Sequence, residues 1–163
     1  MSTCHDTTHG VVDYQEFERS PDPTPSRALS EQEVELVTGY VEHAGALLQR
    51  YSLIESTHGD SPAVLDALFA RWLDDSTPDR PSEELVCLSL GSAFGSYFVR
   101  TKQMQWRIAQ VNDEEVTLAV VHEASQIAVY PIASVQKRIY SRATGFFEAI
   151  AILVCDKFKP EQH

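Results

Sequence analysis

The stretch from Leu85 to Tyr140 constrains the fold most, because its apolar residues change there from a helical period to an alternating one. Up to Phe98 the bulky residues fall on every side of a helix, which is typical of a central, buried helix. From Met104 onward every second residue is apolar, as at Trp106 and Ile108, which indicates strands. Helices followed directly by a sheet are typical of an α+β domain.

Three helices are predicted before the sheet. Ser30 and Glu33 form an S-x-x-E capping box at the start of the first helix. Ser61, followed by Pro62, is predicted to begin the second helix. Ser82 is predicted to cap the third, which we expect to be central.

Small residues form a belt in the third helix, around Gly91 and Gly95. A phosphate-binding glycine loop follows a strand and has a characteristic spacing, and neither is present here. The belt is better explained by close packing of backbone against backbone. Cys87 lies in the same helix and is expected to be a small buried hydrophobic residue.

Three short strands are predicted next, with connections so short that they form an antiparallel meander. One sheet face is bulky and includes Trp106. The other, which we call the second face, is small and partly polar and includes Arg107 and Tyr130. Two alternatives remain for it: a helix covers it, which is the commoner arrangement, or it is a concave surface open to a ligand or partner.

Two helices are predicted after the strands. Ile132, Val135 and Ile139 indicate a short helix that turns Lys137 and Arg138 outward, and Thr144 is predicted to cap the last helix. The predicted fold is therefore α+β, with three N-terminal helices, a three-stranded antiparallel meander, and C-terminal helices packed on the sheet.

The chain is predicted to have one globular domain, residues 28–160, after a flexible polar, proline-rich tail, residues 1–27. Three prolines in five positions, Pro21–Pro25, favour extended backbone in the tail. We expect that removal of the tail leaves the melting temperature nearly unchanged.

Charge and cysteine content restrict the partners and the compartment. The net charge of −11 argues against binding to nucleic acid or to an anionic membrane. Residues 28–84 carry twelve acids and three bases, whereas residues 85–159 carry six acids and eight bases. This asymmetry fits a solvated acidic face or a surface for a basic partner. Three cysteines without a C-x-x-C pair, and the lack of a signal-peptide pattern, predict a cytoplasmic protein.

No catalytic or metal-binding motif is found, so we predict no catalytic residue, metal or cofactor. His58, Asp60 and Ser61 have the residue types of a triad, but they are nearly contiguous and their side chains cannot converge. We expect at least one of Lys137 and Arg138 to form an ion pair with an acid of the N-terminal half rather than to bind an external phosphate. The weak candidates for binding a ligand or partner are Arg107, His122, Tyr130, Lys137 and Arg138.

The order of features resembles a bacterial family, the domain of unknown function 3806. The resemblance rests on RWLDDSTPDRPSEELVCLSLGSAFGSYFVR, a Trp-bearing strand, an Asp-Glu turn, LAV, a strand ending in Tyr-Pro, V-x-K-R and a Phe-Phe helix. It covers about residues 30–158. The family pattern implies a glycine after the Asp-Glu turn, where this chain has Glu115 and Val116. The resemblance implies no activity, because the family is uncharacterised.

Two functional hypotheses follow from the sequence. The first is an interaction module for a basic protein partner, for example an immunity-type protein, based on the negative charge, the small size and the lack of a catalytic set. The second is a small-molecule binder or weak enzyme that uses the second face, with Arg107, His122 and Tyr130 as polar contacts.

Overall fold

The computed structural model describes residues 17–19, 26–53 and 61–158. These residues form five helices and five strands, which confirms the predicted α+β class. None of these five helices has both the length and the apolar character that crossing a membrane requires. In chain order the elements are β1 (Phe17–Arg19), β2 (Ser26–Ala28), α1 (Glu31–Arg50), α2 (Pro62–Asp74), α3 (Glu83–Lys102), β3 (Gln105–Asn112), β4 (Glu115–His122), β5 (Ile127–Val129), α4 (Pro131–Ser141) and α5 (Phe146–Phe158).

The first three helices begin where the sequence predicts. Ser30 Oγ accepts a hydrogen bond from the Glu33 amide at 3.2 Å, and Glu33 Oε1 accepts one from the Ser30 amide at 2.8 Å. This reciprocal pair is the predicted capping box. Ser61 precedes Pro62 in the first turn of α2, and the Ser82 hydroxyl caps α3.

The start of α5 differs from the prediction, because Thr144 lies two residues before the helix. The backbone amides in the first turn of α5 instead donate hydrogen bonds to Asp66 of α2. The Asp66 carboxylate accepts hydrogen bonds from the Phe147 amide at 2.9 Å and from the Glu148 amide at 3.0 Å. Burial raises the pKa of Asp66 above its ordinary value. This cap also ties α5 to α2.

The sheet is wider than predicted. In the described residues it has five antiparallel strands in the order β1-β5-β4-β3-β2, so the predicted meander forms its centre. Phe17 lies opposite Val129, and Ser26 opposite Ala109. β1 lies in the predicted tail 1–27, and β2 begins in that tail and ends at Ala28, the first residue of the predicted domain. Each edge strand has only three residues, too few for an alternating pattern in the sequence. The rest of that tail lies outside the described residues.

The central helix α3 packs against α1, α4 and the sheet. A Cβ atom placed on Gly91 would lie 2.7 Å from the Ile132 Cα of α4, and one on Gly95 would overlap the ring of Trp106. The predicted packing of backbone against backbone is therefore confirmed at Gly91, whereas Gly95 packs against a side chain. The C-terminal helices differ from the prediction: α4 contacts the sheet, whereas α5 packs mainly on α2 and reaches the sheet through Phe158.

Candidate functional site

The second face is closed at its centre. Ala109 and Ala119 are 1% and 0% exposed, and Tyr130 is 6% exposed. Arg107 donates from Nε to Ser26 Oγ and from Nη2 to the Ser26 carbonyl oxygen, each at 3.0 Å. Within the described part of the chain, no helix contributes to this buried cluster. In the described part of the chain, this face has neither a covering helix nor an open concave surface at its centre.

His122 lies on the opposite sheet face from Arg107 and Tyr130. Its ring contacts Phe158 of α5 with 4.9 Å between ring centres, and its Nδ1 accepts a hydrogen bond from the Ser125 amide at 3.2 Å. Successive strand residues point to opposite faces, and His122 falls on the bulky side with Val120. The three proposed polar contacts therefore do not converge.

Of the two basic candidates on α4, Arg138 is buried. Its side chain is 2% exposed, and its guanidinium lies 5.3 Å from the centre of the Phe146 ring. The prediction that Arg138 points outward is wrong, because α4 buries the face that carries Ser134, Val135 and Arg138. The apolar stem of arginine permits this burial. Lys137 is half-buried. The predicted ion pair of these two residues stays a prediction.

A groove runs between α3 and α4 and has a volume of about 340 Å³. We call it the α3–α4 groove. Its apolar part comes from both helices, and its edge carries two acids from the first turn of α3. The residues that line it are Glu83, Glu84, Cys87, Leu88, Ile132, Gln136, Ile139 and Tyr140.

Tyr140 is the most unusual residue of this groove, because its side chain is 87% exposed. The other exposed large hydrophobic residues in the described part of the chain range from 51% to 64%. Ile139 packs against the main core, so the next residue along α4 points away from it. Tyrosine is enriched at protein–protein interfaces and often contributes much of the binding energy there.

The chemistry of the α3–α4 groove suits binding rather than nucleophilic catalysis. Burial raises the pKa of the Cys87 thiol to about 11, so the thiol is protonated at neutral pH. Its sulfur lies 3.3 Å from the Ile132 carbonyl oxygen, to which it donates. Glu83 and Glu84 are exposed and lie in the first turn of α3. Their negative charges stabilise the N-terminal end of this helix and also face the groove. In the described ranges, no group of three or more His, Cys, Asp or Glu side chains could hold a metal ion.

The groove lies inside the part of the chain that matches a known family. The model of the family described as Domain of unknown function (DUF3806) matches residues 67–150. The chain belongs to this family. The match confirms the resemblance seen in the sequence and covers slightly more than half of the 163 residues, a shorter range than residues 30–158. The DUF3806 region contains α3, the central strands and α4, and excludes α1. No curated protein and no solved structure matches the chain.

Sequence reasoning missed the α3–α4 groove. One indication was available: Tyr140 directly follows Ile139, so a large aromatic residue had to lie beside the apolar stripe of its helix. Glu83 and Glu84 had a sufficient explanation as acids at a helix start. Nothing in the sequence showed that Ile132 would cross Gly91 and bring the two helices together.

Proposed function

We propose that this protein is a protein-interaction module whose α3–α4 groove binds a basic segment of a partner protein. The observation that carries the proposal is Tyr140, which is 87% exposed beside a groove with an acidic edge. The solvent-exposed ring of Tyr140 lies beside half-buried Leu88 and Ile139, so a docking partner can bury additional apolar area there.

Charge decides which kind of partner fits. Glu83 and Glu84 lie at one end of the groove, and the whole chain carries a net charge of −11. A segment with Lys or Arg on either side of an apolar residue would place that residue in the groove and its cations near the two glutamates. Long-range attraction would also speed its association.

The test is a selection of binding peptides from a random 12-residue library. The wild-type protein serves as target, and a variant with Tyr140→Ala, Glu83→Gln and Glu84→Gln serves as counter-target. All three residues are exposed, so the variant should keep the fold. We expect enriched peptides with excess Lys and Arg around an apolar residue. Their affinity, measured by fluorescence polarisation, should fall about tenfold or more in Tyr140→Ala.

Leu36→Ala is the matched control, because Leu36 is also an exposed apolar residue, 59% exposed, but lies on α1. Its affinity for the selected peptides should equal that of the wild type. Selected peptides without a basic excess, or peptides that bind the Tyr140→Ala protein as tightly as the wild type, would contradict the proposal.

A further inference from the structure

A second groove lies between α1, the C-terminal half of α3 and the start of β3, and has a volume of about 460 Å³. We call it the α1–β3 groove. One wall is apolar and formed by α1, including Val34, Val37 and Val41. The other side is formed by Ser96, Gln105 and Trp106. The volume falls within the usual range for small-molecule sites, roughly 300–1,000 Å³.

The α1–β3 groove differs electrostatically from the α3–α4 groove. Its described lining residues are all uncharged, although the chain as a whole carries a net charge of −11. A charged ligand that entered would lose its hydration without meeting an opposite charge. The lining is therefore complementary to a neutral ligand.

The Trp106 ring gives the groove a fixed aromatic wall. The ring packs so closely on Gly95 that no Cβ atom fits between them. Trp106 is nevertheless only half-buried, and Val34 across the groove is 51% exposed. Two apolar side chains are thus left partly in water on opposite sides of one groove. A ligand with an aromatic or aliphatic body would cover both.

Hydrogen-bonding groups accompany this apolar surface. The Thr38 hydroxyl donates to the Val34 carbonyl oxygen at 2.9 Å and keeps its own acceptor capacity. Ser96 of α3 and Gln105 of β3 line the other side of the groove and carry polar side chains. Together with the Thr38 hydroxyl, these groups can donate to or accept from one hydroxyl or amide group of a ligand.

We infer that the α1–β3 groove binds an uncharged small molecule with an apolar or aromatic body and one hydroxyl or amide group. This site shares no lining residue with the α3–α4 groove. The inference therefore stands independently of the proposed partner.

Three probes of matched size test this site: benzyl alcohol, benzoate and benzylammonium. The readout is the indole N–H resonance of Trp106 during titration, observed by two-dimensional NMR. The other tryptophan, Trp72, is an internal control, because its indole N–H is bonded to the Pro81 carbonyl oxygen at 2.9 Å in the core. Benzyl alcohol should shift only the Trp106 resonance, with affinity about tenfold or more above that of either ion.

Two variants on α1 locate the binding. Val34→Trp fills the groove from an exposed position and should abolish the shift, whereas Leu36→Trp, also on the exposed surface of α1, should leave it unchanged. Equal affinity for the neutral and charged probes would overturn the inference. So would the same response in both variants, or no shift of Trp106 up to the solubility limit of benzyl alcohol.

Discussion

At the residue scale, two glycines fix how closely α3 approaches its neighbours. Gly91 lies under Ile132 of α4, and Gly95 lies under the ring of Trp106. A side chain at either position would occupy space already filled by another residue. Gly45 on α1 has nothing within 4 Å of the place where its Cβ would be. The first two glycines are therefore required by packing, whereas the third only lowers the helix propensity of α1.

We predict opposite effects of the same substitution at these positions. Gly91→Ala should reduce the free energy of unfolding by roughly 1–3 kcal/mol, because the added methyl group meets backbone atoms of α4. Gly45→Ala should raise it by up to about 1 kcal/mol. Urea unfolding followed by circular dichroism measures both changes. Two variants of equal stability would show that α4 moves away from α3 without cost.

At the scale of elements, the end of α1 is held by the loop between α2 and α3. Arg50 contacts Asp75 at 3.1 Å and Asp79 at 3.2 Å, and the Tyr51 hydroxyl donates to Asp75 at 2.7 Å. Hydrogen bonds from the Thr77 hydroxyl, from Tyr51 and from the Thr77 amide, together with Arg50, hold the pKa of Asp75 well below its ordinary value of 3.8. The anchor therefore depends on an ionised Asp75.

The pH dependence of this anchor follows from the direction of the shift. Because the pKa of Asp75 is lower in the folded state, its stabilisation is complete above about pH 3.8 and is lost as the pH falls toward the folded value. Asp75→Asn should therefore be less stable than the wild type near neutral pH, and the difference should shrink below about pH 4. The half-buried Asp66, whose pKa is raised, has the opposite slope, but it is present in both proteins and its effect cancels.

Urea unfolding of both proteins between about pH 7 and pH 3 measures this difference. Asp74→Asn is the matched control, because Asp74 is the exposed neighbour on the same helix end. A stability difference for Asp75→Asn that stays constant over the whole pH range would contradict the explanation by ionisation.

At the scale of the whole molecule, the two short strands β1 and β2 pair with the two outer strands of the central meander and form the edges of the sheet. β1 pairs with β5 and β2 with β3, and Arg107 adds two hydrogen bonds to Ser26. Without them, β3 and β5 would expose rows of unpaired backbone groups, which promote pairing between molecules. The prediction that removal of residues 1–27 leaves the melting temperature nearly unchanged did not include these contacts.

We now expect deletion of residues 1–28 to lower the melting temperature by roughly 10 °C, as for a loss of about 3 kcal/mol in a chain of this size. Calorimetry measures the temperature, and size-exclusion chromatography should show self-association. Deletion of residues 1–16 is the control, since it keeps both strands. Equal shifts in the two deletions would place the effect before Phe17 and contradict the role of the edge strands.

How much the sequence predicts depends on how far apart the interacting residues lie along the chain. The caps at Ser30 and Ser82 are predictable, because each joins residues three positions apart. The central strands are also predictable, because alternation over several residues is a local pattern. The five predicted site residues do not form one open site in the structure. Arg107 and Tyr130 belong to the closed second face, and Arg138 is buried.

The sequence by itself determined the α+β class, the starts of the first three helices, the meander and the family, because each depends on short-range patterns. Only the tertiary structure decided the Asp66 cap of α5, the burial of Arg138 and the pairing of the two edge strands. It also decided the α3–α4 groove, where Cys87 meets Ile132 across a separation of 45 residues. Those features depend on side chains and backbone groups that come together only when the whole domain packs, and a strand of three residues is too short to show an alternating pattern in the sequence.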